Sequence, residues 1–264
     1  MNPHVDELNI LETSDTSIKF AARVNFTNPT EYTARVPYIN INILSNGSII
    51  GQATAEDVNV SKGENVNLLV TVVWDPRALG GKEAERIGRH LLSQYISGLN
   101  TTLTIKAHNG TIPSQPILGE ALSKFEIHIP TPRLSTPDEG SDGPHFIRYA
   151  TFHIFSSTAT FALLSPLKYS TLYIESVNAT AFYNYTDQIG KILYHLPFQV
   201  PPGVSITPKL PVYWSIGSVG YGKLRKAIGG ELKLEAEGEM GVRLGNWREN
   251  VWYTGRSIGA HIRL

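Results

Sequence analysis

The chain states one pattern twice. Asn28-Pro29-Thr30-Glu31-Tyr32-Thr33 returns as Ser165-Pro166-Leu167-Lys168-Tyr169-Ser170. Ile50-Gly51 returns as Ile189-Gly190, and Val60-Ser61-Lys62-Gly63 as Val200-Pro201-Pro202-Gly203. Val70-Thr71-Val72-Val73-Trp74 returns as Leu210-Pro211-Val212-Tyr213-Trp214. The spacing between partners drifts only from 137 to 140 residues along this run. Landmarks in one order at nearly one spacing mark a duplicated domain, because a period this long exceeds any solenoid unit. A copy of roughly 130 residues can bury its own core. The repeated residues are turn formers and strand formers, so they constrain the fold and leave the chemistry open.

The local pattern within a copy is that of β-structure. Ile18, Phe20, Ala22, Val24 and Phe26 alternate with polar or small neighbours, the period of a half-buried strand. Asn28-Pro29 ends it, since proline has no amide hydrogen for a ladder. Ile39, Ile41 and Ile43 form a second strand that runs into the hairpin signal Ser45-Asn46-Gly47-Ser48. Ile49-Ile50-Gly51 begins the return strand. After the Lys62-Gly63-Glu64 turn, Val66, Leu68, Val70, Val72 and Trp74 read as the longest apolar strand. Leu103–Ala107 and Phe125–Ile129 complete the copy.

Helix is scarce. Over Glu83–Ile96 the apolar residues Ala84, Ile87, Leu91, Leu92 and Tyr95 recur at spacings of three and four, and Gly98 stops the run. Tyr221–Gly230 reads as a shorter helix in the same slot of the second copy. The expected architecture is all-β: two tandem immunoglobulin- or fibronectin-like antiparallel β-sandwiches, each of about seven short strands with one short inserted helix. The stretch Pro130–Pro144 has four Pro and two Gly in fifteen positions and reads as a linker. The expected boundaries are therefore 1–130 for the first sandwich, 131–144 for the linker and 145–264 for the second.

Composition removes some function classes. Lys plus Arg balances Asp plus Glu at 23 each, so no global field draws the chain to nucleic acid. No window approaches the ~18–20 consecutive apolar residues of a membrane helix. Met1-Asn2-Pro3-His4-Val5-Asp6-Glu7 lacks the basic and apolar regions of a signal peptide. Taken at face value the sequence reads as soluble.

Seven Asn-x-Ser/Thr sequons point the other way: Asn25, Asn46, Asn59, Asn100, Asn109, Asn178 and Asn184. With 16 Asn and 41 Ser plus Thr in 264 residues, chance gives about 2.5 such sites. The excess carries meaning only in the secretory pathway, where sequons mark exposed positions. An Asn-rich β surface also generates them without any modification. The absence of Cys counts slightly against a small secreted domain, although copies this large need no disulfides.

The copies differ in aromatic content: residues 1–130 hold seven of the 25 aromatics and residues 144–264 hold eighteen. Such side chains either fill a packed core or line an apolar trough of several hundred cubic ångströms that takes an acyl chain or sterol. Lys223, Arg225 and Lys226 then read as candidate headgroup contacts, or as a solvated helix face. Tyr183, Tyr185 and Tyr194 likewise read as cross-strand packing or as an apolar binding surface. Trp74 and Trp214, at equivalent strand ends, read as core anchors in preference to ligand stackers.

Catalytic and cofactor signatures are absent from the sequence. The eight His residues fall in no paired metal spacing, and without Cys the common zinc sites are excluded. His128, beside Glu126, reads as solvated. Gly217-Ser218-Val219-Gly220-Tyr221-Gly222 lacks the spacing of a phosphate-binding loop and reads as a strand-to-helix turn. There is no Gly-x-Ser-x-Gly elbow. Asp75, Asp138, Glu139 and Asp142 do not have the spacing of a calcium loop. No cofactor is expected.

The run Phe26-Thr27-Asn28-Pro29-Thr30-Glu31-Tyr32-Thr33-Ala34-Arg35-Val36-Pro37 is similar to the late-embryogenesis-abundant type-two domain, also called the water-stress and hypersensitive-response domain. In that family a strand ends in Asn-Pro and an aromatic, followed by a hairpin, Ile-Gly, a Val-x-x-Gly turn and a long apolar strand. The second copy follows the order more loosely, with Ser165-Pro166 in place of Asn-Pro. The tandem resembles most the lumenal region of fungal vacuolar single-pass membrane proteins implicated in terminating autophagy. The resemblance implies fibronectin-like sandwiches, no catalytic residues and a membrane anchor outside this chain.

The expected function is thus a non-catalytic lumenal interaction or structural module of a vacuolar or secretory-pathway membrane protein, with an unidentified protein or lipid partner. The alternative is a lipid-binding or lipid-transfer module using a trough in the second copy. A rival from another class is an enzyme whose site is assembled from distant residues, marked by a cleft with a strongly perturbed His or carboxylate.

Overall fold

The computed structural model describes residues 4–131, 146–215 and 232–263. Strands hold 61% of the described residues and helices 12%, and the strands form two curled sheets, so the protein is all-β in two domains. The expected linker 131–144 falls almost wholly outside the described residues, as does the expected helix Tyr221–Gly230. Compact packing divides the chain into two units. One takes in residues 1–91, 101–131 and 245–247, and the other residues 92–100, 132–244 and 248–264.

The first unit is built on β1 (His4–Thr13), β2 (Ile18–Asn28), β3 (Ala34–Ser45), β4 (Ser48–Val60), β5 (Gly63–Trp74), β6 (Thr102–Lys106) and β7 (Glu126–Pro130). They form one continuous sheet in the order β1-β2-β5-β4-β3-β6-β7. Its inner face is close-packed with small side chains: Ala22, Ala53, Ala55, Val58 and Val70 are buried together, with Val24, Ile39, Ile41 and Val72 against them. Two features of this sheet were not evident from periodicity. The strand β1 is interrupted by register shifts at Val5/Glu7 and Ile10/Glu12, which break the period of two that identifies a strand. In β5, Asn67 takes a left-handed φ of 58° and the register with β2 slips between Val24 and Phe26. The bulge throws Val66 outward, leaving it 61% exposed where simple alternation put it in the core.

Helix α1 (Pro76–Ile96) begins seven residues before the expected Glu83. Asp75 caps it: its carboxylate accepts the Ala78 N–H at 3.1 Å and its carbonyl accepts from Leu79 at 3.1 Å. Pro76 occupies the first turn, where its missing N–H has no consequence. Gly81, at φ 73° and ψ −164°, interrupts the helix, so the predicted 83–96 periodicity corresponds to the part beyond the break. Ile87 and Leu91 pack on Ile50, Trp74 and Leu103. A second helix, α2 (Pro116–Leu122), is too short at seven residues to show a helical period, and the sequence reading of one helix per copy missed it.

The second unit contains β8 (Ile147–His153), β9 (Thr158–Leu164), β10 (Leu172–Tyr183), β11 (Asp187–Tyr194), β12 (Phe198–Val200), β13 (Val204–Ile206), β14 (Leu210–Pro211), β15 (Tyr213–Trp214), β16 (Leu232–Leu244) and β17 (Trp247–Arg263). The sheet runs β13-β9-β8-β17-β16-β10-β11-β15, with β12 also on β10 and β14 on β9. All the described pairings are antiparallel except β17 with β8, which is parallel from Gly259/Tyr149 to Arg263/His153. One short segment ties distant strands together. Leu210 and Pro211 pair with β9, while Tyr213 and Trp214 pair with β11. Between them the Val212 N–H donates to the Ser157 carbonyl at 2.8 Å. The sheet is thereby drawn round an apolar interior.

The duplication survives at the level of register. Gly51 pairs with Trp74 across β4 and β5, and Gly190 pairs with Trp214 across β11 and β15. A Cβ on Gly51 would lie 2.8 Å from the Val73 carbonyl oxygen. One on Gly190 would lie 2.9 Å from Val212 Cγ1 and 3.2 Å from the Tyr213 oxygen. Both glycines permit a backbone approach that no other residue permits. Gly51→Ala and Gly190→Ala are each expected to lower the unfolding free energy by about 1–3 kcal/mol through overpacking. Gly259→Ala, where an added Cβ meets nothing within 4 Å, should stay within about 0.5 kcal/mol of the parent. Urea unfolding followed by tryptophan fluorescence measures all three.

Candidate functional sites: the strand corners, the sequon asparagines and an apolar cavity

The repeated Asn-Pro and Val-x-x-Gly landmarks meet at a corner in each unit. Asn28 pairs with Gly63 at the start of β5, and Gly63 has a left-handed φ of 80°. The buried Asn28 carboxamide donates to the carbonyls of Tyr32 (2.8 Å) and Ser61 (3.2 Å). Its Oδ1 accepts from the Thr30 amide (3.1 Å) and hydroxyl (2.8 Å). One side chain therefore ties the β2–β3 connection to the β4–β5 turn. In the second unit the buried Ser165 holds the same place. Its N–H donates to the Gly203 carbonyl at 2.9 Å, its hydroxyl accepts from Leu167 at 3.2 Å, and Gly203 has φ 82°. Sequence reading took Asn28 as the end of a strand and missed the brace, although the recurrence of both landmarks in both copies was its signal. Asn28→Ala removes all four hydrogen bonds made by this buried side chain and should cost about 1–3 kcal/mol in thermal or urea unfolding.

Six of the seven sequon asparagines are exposed: Asn46, Asn59, Asn100, Asn109, Asn178 and Asn184. Asn46 (φ 46°) and Asn184 (φ 51°) occupy hairpin tips in the left-handed region that asparagine tolerates. Asn59 is exposed between buried Val58 and half-buried Val60. Asn109 lies on the loop against which α2 packs, its carbonyl 2.9 Å from a Cβ built on Gly119. Asn178 stands within strand β10. Asn25 is the exception: it is half-buried, and its Oδ1 accepts the Asn67 N–H at 2.8 Å, bracing the β5 bulge.

The second unit contains a partly open apolar cavity of about 70 Å³. Phe146, Phe152, Phe161 and Phe198 form part of its lining, and Ala179, Ala181, Ala236, Gly190 and Gly238 leave space between them. The expected trough thus exists as a partly open cavity of modest size. Ligand pockets run to about 300–1,000 Å³, and about 150 Å³ suffices only for benzene or xenon. The void is too small for an acyl chain or sterol, and Lys223, Arg225 and Lys226 lie outside the described residues.

Trp214 packs edge-on against Phe152 at 5.4 Å, and Tyr253 against Phe146 at 6.0 Å. Among the described residues neither Trp214 Nε1 nor Tyr253 Oη finds a hydrogen-bond partner of normal geometry. Trp74 sits in the cluster of Ile50, Ile87 and Leu91, so both tryptophans are core anchors. Tyr194 packs on Phe198 at 6.2 Å, whereas Tyr185 is 64% exposed at its hairpin tip.

Titratable groups do not converge into a reactive constellation among the described residues. His128 shares a bond with Thr104 Oγ1 at 3.1 Å on the exposed edge. His108 Nδ1 accepts the Gly110 N–H at 3.1 Å, which leaves Nε2 to face Asn40 Oδ1 at 3.4 Å, a structural arrangement. No three His, Asp or Glu side chains gather as a metal site within those residues, and no described helix is long and apolar enough to cross a membrane. The pronounced perturbation is at Tyr253, whose phenol is pushed above the ordinary tyrosine range by burial, against a lesser pull from the Ile147 backbone. A raised folded value means its contribution is intact below about pH 10, where the unfolded phenol is neutral, and is lost as pH rises further. Tyr253→Phe should therefore flatten the decline of stability in alkaline unfolding curves. At neutral pH it should change stability little, since the buried hydroxyl it removes has only a weak contact with the Ile147 backbone.

Comparison with known proteins bears on both units. Residues 1–119 match the model described as the Tag1-like fourth LEA-2 like domain, and residues 139–252 match the Tag1-like fifth LEA-2 like domain. No curated protein sequence matches the chain. Among solved structures, a crystal structure of Bacteroides uniformis β-glucuronidase aligns at 9% identity and a TM-score of 0.15. That alignment covers 89% of this chain and 26% of the enzyme, and so slight a likeness carries no argument.

Proposed function

The chain belongs to the Tag1-like LEA-2-like domains, carrying the fourth and fifth in tandem, and from that premise we propose that it is the lumenal part of a vacuolar or secretory-pathway membrane protein. Its role is structural or adhesive: two rigid β modules that present a surface to a protein partner. The LEA-2-like match points to a non-catalytic module. The membrane anchor lies outside this chain on this reading, and the fungal vacuole is the setting that the family resemblance implies.

One observation carries the compartment. Seven sequons are present where about 2.5 are expected by chance, and six of the seven asparagines stand exposed in the fold. Random sequons in a folded surface would be as exposed, but they would not be as numerous. The lipid reading lacks a comparable support, because the apolar cavity is several-fold smaller than the pockets that hold such ligands.

The test uses the natural full-length protein in its own cells. Glycosidase treatment should increase its electrophoretic mobility, and the tandem domains should resist protease added to intact membrane vesicles until detergent is present. A mobility unchanged by glycosidase, together with immediate digestion in sealed vesicles, would place the module on the cytosolic side and end the proposal.

A further inference from the structure

We infer that Asn178 carries an N-linked glycan whose first sugars pack on Leu193 and Tyr213, making the glycan a fixed part of the outer wall of the second domain. The inference rests on the lumenal reading above.

Asn178-Ala179-Thr180 differs from the hairpin-tip sequons in its setting. Asn178 lies in the middle of the twelve-residue strand β10, flanked on both sides by paired strands. It stands opposite Leu193 on β11 and opposite Glu239 on β16. Ala179 turns to the other face and lines the cavity, so Asn178 faces outward. Asparagine is among the residues depleted in strands, and central strands favour β-branched or aromatic side chains.

The neighbours supply what a sugar needs. Leu193 is 41% exposed, and a directly opposed cross-strand pair brings Cβ atoms to about 5 Å. Lys191, two residues along β11 on the same face, is opposite Tyr213 on β15, and Tyr213 is 63% exposed. Two strand spacings, roughly 10 Å, and two residues along the strand, roughly 7 Å, put Tyr213 about 12 Å from Asn178, within the reach of a disaccharide on the asparagine side chain. N-acetylglucosamine has an apolar C–H face and an acetamide methyl, which suit a leucine and a tyrosine ring. On the opposite side Glu239 is exposed and can accept from sugar hydroxyls. Asn184, by contrast, sits at a turn next to Thr186 and Tyr185, where a glycan projects away from the sheet.

The experiment secretes the full chain from a eukaryotic host behind an added signal peptide, so that glycosylation does not depend on the natural compartment. Peptide mapping should find Asn178 occupied. Leu193→Thr should lower the melting temperature of this glycosylated chain by about 2–4 °C, the shift for a lost contact in a protein of this size. The same substitution in unglycosylated chain from bacteria should shift it by less than about 1 °C. Asn178→Gln in the secreted chain should raise binding of an apolar fluorescent dye, while Asn184→Gln should not. An unoccupied Asn178 beside occupied hairpin sequons overturns the inference, as does a Leu193→Thr effect equal with and without glycan. Either result leaves the compartment proposal standing. Natural protein bare at every sequon sinks the compartment proposal and the glycan at Asn178 with it, whatever the secreted chain shows.

Discussion

The contact on which both domains depend is the flat approach of a glycine to the strand that carries a tryptophan. At Gly51 and Gly190 there is no Cβ, so the neighbouring strand can sit against the backbone where a methyl would strike an oxygen or a valine. The partner residue is Trp74 in one case and Trp214 in the other. Each indole then fixes what lies on its side of the sheet. Trp74 anchors Ile50 and the α1 residues Ile87 and Leu91, while Trp214 meets the edge of Phe152. A side chain at either glycine would push this pair of strands apart and move the anchor with it.

Upon the same frame the two copies have built opposite interiors. The first fills its curl with Ala22, Ala53, Ala55 and short valines, which let the walls come close and leave little to enclose. The second uses rings: Phe146, Phe152, Phe198 and Tyr253 are all buried, opposite alanines and glycines. Rigid rings facing small residues do not interdigitate completely, and a void remains between them. The abundance of aromatics in the second copy is thus explained as much by wall-building as by ligand. Several others, among them Phe155, Tyr169, Tyr185 and Tyr213, stand on the surface.

Much of the fold was legible because its signals are short-range. The alternation at Ile18–Phe26 and the Asn46-Gly47 turn each lie within a window of a few residues, and the structure follows them. The misreadings share a cause. β1, the Val66 region of β5 and α2 are places where a bulge or a very short element breaks the period before it can be counted. For the candidate sites the sequence supplied the residue types and their spacing. It did not show that Asn25 was drawn into bracing a bulge, or that Asn178 would stand beside Leu193.

The sequence by itself determined the duplication, the strand character of each copy, the glycine landmarks and the positions where a glycan can attach. Those properties are written in residues near one another, or repeated at a constant offset, and need no knowledge of partners. Only the tertiary structure decided that Asn28 meets Gly63, that residues 210–214 tie β9 to β11, and that the aromatic interior leaves about 70 Å³ rather than a lipid-sized trough. Each of these is set by side chains dozens of residues apart meeting across strands. The free volume in particular is a small difference between large packed volumes, which no local pattern encodes.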